Sequence, residues 1–191
     1  MPLQLIDTAF PDIKLVALRA FADERGYFLE GFRAQSYQGL PGQNGPFVQD
    51  NFSHSTRGVL RGLHFQHPND QGKLVRAVQG SIYDVTVDIR VGSPTFGQWQ
   101  ALTLSHEQPR QLWIPPGYAH GFLVLSDEAL VEYKCTAYYA PQSEGCLRWN
   151  DPNLGIDWPC DALLISDKDR NGKTLKELLE AGLLPSNKSA L

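Results

Sequence analysis

Six short apolar runs, each closed by glycine, proline or a polar turn, follow one another between residues 73 and 138 and leave this stretch no room for a long helix. They are Lys73–Val78, Ile82–Ile89, Gln98–Leu104, Gln111–Ile114, Gly121–Leu125 and Ala129–Tyr138. Strands of this length hide their apolar faces only against another sheet, so the pattern predicts a mainly β chain built as one antiparallel double sheet, a sandwich or barrel. No repeat of roughly 20–50 residues and no low-complexity tract argues for a propeller or solenoid. Short helices are expected to flank the strands at Arg33–Leu40 and Lys173–Leu184. In the second, Leu175, Leu178 and Leu179 share a face behind the turn-like Asp169-Arg170-Asn171-Gly172, a stripe that covers the core or meets another subunit.

The chain has 191 residues with an apolar fraction of 42%, enough for one core, so residues 1–191 are expected to form a single domain with a helical tail at about 173–184. The formal charge of -4 gives no general basic field, and neither nucleic acid nor an anionic membrane is an expected partner. Met1–Asp7 lacks the features of a secretory leader, and no run approaches about 18 apolar residues, so a cytosolic address is expected. Cys135, Cys146 and Cys160 show no CxxC spacing and are read as reduced, partly buried thiols.

Polar groups concentrate in one run, Gln49–Ser55 continuing through Gly58–Gln66, where a histidine, a guanidinium and amides interrupt apolar, aromatic-flanked backbone. Buried polar groups need partners or a ligand, so this run reads as a pocket wall. In Ile82–Ile89, Tyr83, Val85, Val87 and Ile89 share one face and Asp84, Thr86 and Asp88 the other, which meets either solvent or a polar cavity. Trp113–Phe122 reads as strand, tight turn and strand, delivering His120 just beyond the turn. This Pro-x-Gly-x-x-His hairpin resembles the second motif of the cupin superfamily of small jelly-roll barrels. Metal cupins usually carry a His-x-His pair with a following glutamate; here His64 and His67 are three apart, and Lys73 stands where a carboxylate would help. That set is short of ligands for a dication, and no metal is expected.

Taken together, Phe21–Glu30, Gln49–Gln66, Gly72–Arg76, Pro115–Phe122, Tyr133–Tyr139, Ser143–Gly145 and Ser166–Asp169 resemble the dTDP-4-dehydrorhamnose 3,5-epimerase family, from about residue 3 to 180. The resemblance implies a cupin-type jelly-roll barrel that works as a homodimer without metal or cofactor. It implies inversion of C3 and C5 of dTDP-4-dehydro-6-deoxy-D-glucose, both alpha to the C4 ketone, in dTDP-L-rhamnose biosynthesis. Such chemistry needs a base, a group holding the C4 oxyanion and an acid on the opposite ring face.

By the same resemblance His64 is the base, Asp169 holds its other ring nitrogen, Tyr133 is the general acid, and Lys73, with His120 nearby, stabilises the oxyanion. Arg25, Arg61 and Lys168 meet the nucleotide sugar; Glu30, Gln49, Asp50, Asn51 and Glu144 are further binding positions. Tyr139 stacks on thymine, with Phe28 covering the other face, and Arg25–Glu30 is an arm toward a neighbouring subunit. The tyrosine favours double inversion over a single-centre 3- or 5-epimerase. A 3,4-ketoisomerase, a nucleotide-sugar binding module and a metal-dependent cupin are the remaining rivals.

Overall fold

The computed structural model describes residues 3–160 and 164–187. Its strands are β1 (Gln4–Asp7), β2 (Lys14–Ala17), β3 (Ala20–Asp23), β4 (Gly26–Leu29), β5 (Gln49–Thr56), β6 (Val59–Gln66), β7 (Lys73–Gln79), β8 (Ser81–Asp88), β9 (Trp99–Ser105), β10 (Arg110–Ile114), β11 (Tyr118–Val124), β12 (Glu128–Cys135), β13 (Glu144–Cys146) and β14 (Leu164–Ile165). One sheet runs β1-β2-β10-β7-β12-β5 and the other β13-β6-β11-β8-β9. All pairs are antiparallel except β14, which lies parallel on β6. The expected antiparallel double sheet of jelly-roll type is therefore present.

Period-two alternation divides the strands between inside and outside. Val75, Ala77, Leu112, Ile114 and Val131 of the first sheet meet Ile82, Leu104, Phe122 and Val124 of the second in the space between the sheets. The outer face of the second sheet, with Leu63, Phe65, Val85, Val87 and Ala119, is covered by Leu147, Leu154, Leu178 and Leu184. The outer face of the first sheet is covered by Tyr37 and Leu40 packed on Leu74 and Trp113, with Phe32 and Phe47 at its edge. Apolar burial of this kind is worth about 1.5–3 kcal/mol per large side chain. Because both sheets are covered outside as well as inside, stability does not rest on the barrel interior alone, which can carry polar groups. That settles the open face of β8: Asp84, Thr86 and Asp88 point inward and are buried, not solvated.

The helices are shorter than the sequence suggests. Only a 3-10 turn, Ala34–Tyr37, forms in the 33–40 stretch. Tyr37 is drawn onto the sheet, where its hydroxyl donates to Oε1 of Gln111 at 2.5 Å. In the 173–184 stretch the amide of Lys173 donates to the carbonyl of Cys146 and its carbonyl accepts from Arg148, so helix begins only after the Thr174–Glu177 capping box. The asparagine-glycine turn expected after Asp169 is preceded by a one-turn helix, α1 (Asp167–Arg170), whose N-cap is Ser166. The second helix, α2, spans Leu175–Glu180; Leu178 and Leu175 pack on the second sheet, but Leu179 is 43% exposed and does not share that contact.

One close approach places the site. A Cβ on Gly62, whose φ is 122°, would lie 2.6 Å from the Cα of Gly121, and one on Gly121 would lie 2.6 Å from the carbonyl oxygen of Arg61. Only a glycine pair lets β6 and β11 meet here. The register shifts between His120 and Phe122 at this point, and His64 and His120 sit opposite each other.

Candidate active site

β6 turns Arg61 and His64 toward the barrel mouth, β7 contributes Lys73, β12 contributes Tyr133 and Cys135, and β5 contributes Gln49, Asn51 and Ser53. Three adjoining cavities share His64 as a wall residue. One of about 230 Å³ takes in Gln49, Asn51, Lys73, Tyr133, Tyr139 and Glu144. A second of about 130 Å³ lies deeper, among Ser53, Arg61, Lys73, His120, Phe122 and Tyr133. The third, about 530 Å³, opens outward between Arg61, Lys168 and Asp169.

At the junction, Nε2 of His64 lies 2.6 Å from Oδ1 of Asp169. The other carboxylate oxygen accepts from the Gly62 amide at 3.2 Å, and the Ser166 hydroxyl fixes the Asp169 amide at 3.1 Å. Burial alone would raise the Asp169 pKa, but His64, the Gly62 amide and Ser166 outweigh it and hold the carboxyl below its ordinary range. With Nε2 committed to Asp169, Nδ1 of His64 is the nitrogen free to exchange a proton in the pocket. Cys146 joins this pair, the three donor atoms lying within 4.8 Å of one another. Burial, reinforced by Asp169, pushes its thiol up to about 12, so it stands as a neutral thiol beside the dyad.

Lys73 is partly buried, and its ammonium donates to the carbonyl of His64 at 3.3 Å. Burial lowers its pKa against the opposing pull of Cys135, Asp84 and Glu144. Burial raises the pKa of Tyr133, so the phenol keeps its proton at neutral pH. His120 is buried, its Nε2 2.8 Å from Oδ2 of Asp84. Around the mouth, Lys168 pairs with Glu144 at 2.5 Å, and the Tyr139 hydroxyl donates to the same carboxylate at 3.0 Å. Burial would raise the Glu144 pKa, yet these two partners hold it below the usual value. Gln49 accepts from the Tyr139 amide at 2.8 Å and donates to Asn51 at 3.0 Å. Gln66 fixes the same loop from below, donating to the Tyr138 carbonyl and accepting from the Ala140 amide.

The fold thus gathers His64, Asp169, Tyr133, Lys73, Gln49, Asn51, Arg61, His120, Tyr139, Glu144 and Lys168 around one opening. Four expected residues lie elsewhere. Asp50 alternates to the outer face of β5, where it accepts from Lys134 at 2.8 Å. Arg25 and Phe28 belong to the exposed β3–β4 hairpin and Glu30 follows it directly; Arg25 pairs with Asp23, and Glu30 with Arg33. Within one chain that hairpin does not line the pocket. Ser53 lines it as part of the Gln49–Ser55 run read as a pocket wall, whereas Gln71 and Cys135 line it without having been anticipated; Cys135 shares strand parity with Tyr133, a signal the sequence does contain.

The family model of dTDP-4-dehydrorhamnose 3,5-epimerase matches residues 7–177. The chain belongs to this family. The dTDP-4-dehydrorhamnose 3,5-epimerase of Pseudomonas aeruginosa is 54% identical over 170 residues, covering 88% of this chain and 94% of that one. Among solved structures, a dTDP-6-deoxy-D-glucose-3,5-epimerase from Legionella pneumophila in complex with dTDP-4-keto-L-rhamnose has a TM-score of 0.92 at 50% identity, covering 97% of this chain and 99% of its own. A 3'-monoepimerase from Streptomyces bikiniensis in complex with dTDP-quinovose also superimposes, with a TM-score of 0.87 at 37% identity over 94% of this chain and 91% of that one.

Lys73 gives the epimerase-family site a measurable cost. Its pKa is lowered in the folded state, so between that value and the ordinary 10.5 the unfolded chain binds more protons and stability rises with pH. Lys73→Met is expected to raise the unfolding midpoint at neutral pH and to flatten the rise toward pH 10.5. A lower midpoint with the wild-type pH slope would contradict the assignment.

Proposed function

We propose that this protein is a cofactor-independent isomerase that inverts C3 and C5 of dTDP-4-dehydro-6-deoxy-D-glucose, giving dTDP-4-dehydro-L-rhamnose. The observation that carries the reading is the His64–Asp169 dyad sharing a cavity wall with Lys73 and Tyr133. A ketone acidifies the hydrogens on both neighbouring carbons, so one base and one acid on opposite sides of the ring serve both centres. His64 takes the proton through Nδ1, and Asp169 stabilises the imidazolium that results. Lys73 and His120 hold the enolate oxygen in the enclosed pocket, where a preorganised donor is worth on the order of 3–4 kcal/mol. Tyr133 returns a proton to the other face.

Arg61 and Lys168 suit the diphosphate, Tyr139 the thymine ring, and Gln49, Asn51 and Glu144 the deoxyribose, base and sugar hydroxyls. Identity of about half to named 3,5-epimerases, against 37% to the monoepimerase, favours inversion at both centres. The deciding experiment reduces the ketone after incubation with the substrate and identifies the released 6-deoxyhexose. Wild-type protein should yield sugars inverted at C3 and C5; His64→Ala should yield none while still binding dTDP, and Tyr133→Phe should lose C5 inversion. A product inverted at C3 alone would make this a single-centre enzyme.

The active unit in this reading is a cytoplasmic homodimer. What supports this is the hairpin whose turn carries Arg25: Phe28 is 70% exposed and Phe21, paired with it across the hairpin, is 47% exposed. Arg25, Phe28 and Glu30 then complete the pocket of the partner subunit. Arg25→Ala and His64→Ala variants should each be nearly inactive, and a co-refolded equal mixture should regain roughly a quarter of wild-type activity, because mixed dimers hold one intact site. No regain would rule out the exchange.

A further inference from the structure

Behind His120 the barrel holds polar groups that these proton transfers do not use. Register sets His64 opposite His120, His120 opposite Thr86, and Thr86 opposite Gln100, so a polar row crosses the second sheet from the pocket to its edge strand. Asp84 lies two residues from Thr86 on the same face of β8. The alternate residues Val85, Val87, Ala101 and Ala119 are plainly apolar and pack outside. Asp84 and Thr86 are 1% exposed, His120 is 6% and Gln100 is 7% exposed.

Within this row one hydrogen bond is made, between Oδ2 of Asp84 and Nε2 of His120. Among the described residues, Oδ1 of Asp84, the Thr86 hydroxyl and both amide atoms of Gln100 are buried with no hydrogen-bond partner. Each such group costs about 1–3 kcal/mol if it stays unmatched, and valine or leucine would fill the same inward positions without that cost. A carboxylate acceptor, a hydroxyl and a primary amide side by side are a set of donors and acceptors that holds buried water.

We propose that Asp84 is a positioning residue for His120, and that Thr86 and Gln100, through buried water, keep its carboxylate ionised inside the barrel. Asp84 accepts from Nε2–H and turns Nδ1 toward the pocket. The groups facing His120 there are His64 and Arg61 from β6, Lys73 from β7 and Tyr133 from β12, lining the cavity with it. Burial of the ring, Arg61 and Lys73 all oppose a second cation, and the carboxylate in contact with the ring is what favours one. Asp84 thus makes His120 an imidazolium that donates from Nδ1–H. In Asp84→Asn the amide oxygen still accepts from Nε2–H, so a neutral ring turns its Nδ1 lone pair to the pocket, which cannot hold an enolate oxygen. The kinetic consequence rests on the epimerase reading; the state of the ring does not.

The test is nitrogen NMR of protein labelled at histidine, read together with turnover. Wild-type His120 should show both ring nitrogens protonated at neutral pH, and Asp84→Asn should show one bare nitrogen. In Asp84→Asn, dTDP affinity and KM should hold while kcat falls on the order of 100-fold, the loss of one oxyanion donor. The paired Thr86→Val, Gln100→Leu variant, which leaves the Asp84 contact in place, should shift His120 toward the neutral form with a smaller loss of kcat. A neutral His120 in the wild type, or Asp84→Asn with wild-type ring signals and kcat, would overturn the proposal. A doubly protonated His120 in a protein inert toward the nucleotide sugar would instead sink the epimerase reading and leave the Asp84 assignment standing.

Discussion

The hydrogen bond between His64 and Asp169 joins residues 105 positions apart, and much of the fold's local detail serves it. It requires β6 to press against β11, which the Gly62 and Gly121 pair allows, and it requires the chain to return along β6 after a long excursion, which the parallel strand β14 accomplishes. Ser166 then caps α1 and holds Asp169 in the first turn, where the Gly62 amide reaches its second oxygen. A carboxylate held by the Gly62 amide and set in a turn capped by Ser166 has little freedom to follow the imidazole, so the imidazole presents the same nitrogen to the pocket at every turnover.

Such a site is costly to bury, and the arrangement of apolar clusters shows how the fold offsets that cost. Leu147, Leu154, Leu178 and Leu184 seal the outside of the sheet that carries His64 and His120. Tyr37, Leu40 and Trp113 seal the outside of the sheet that carries Lys73. With apolar clusters packed on part of each outer face, the interior can hold Lys73, His120 and Asp84 near one another. Their burial strengthens every charge interaction there, and it also leaves the ammonium of Lys73 easier to deprotonate than in water.

Much of this was legible in the sequence. The strands between residues 73 and 135 declare themselves by alternation and by the turns between them, because each has one face packed in the core. The four-residue strands β1 to β4 are too short to show a period. The face of β8 stayed open because polar alternation looks the same whether it meets water or a polar interior; only Leu147–Leu184, distant in sequence, decides it by covering the other side. Family likeness placed Asp50 in the site, but alternation sends Gln49 and Asn51 inward and Asp50 out to Lys134. Arg25, Phe28 and Glu30 are a different case, since one chain cannot show what an exposed hairpin meets. Asp169 was reached only by resemblance, for nothing local in Ser166–Asp169 says that it folds back onto residue 64.

In the proposed mechanism one base and one acid act on both carbons that flank the ketone. Proton NMR of dTDP-4-dehydro-6-deoxy-D-glucose, incubated with the wild-type protein in deuterated water, follows the two positions separately. The proton signal should be lost at both C3 and C5. Exchange at one carbon alone, or at neither while dTDP binds tightly, would contradict that mechanism.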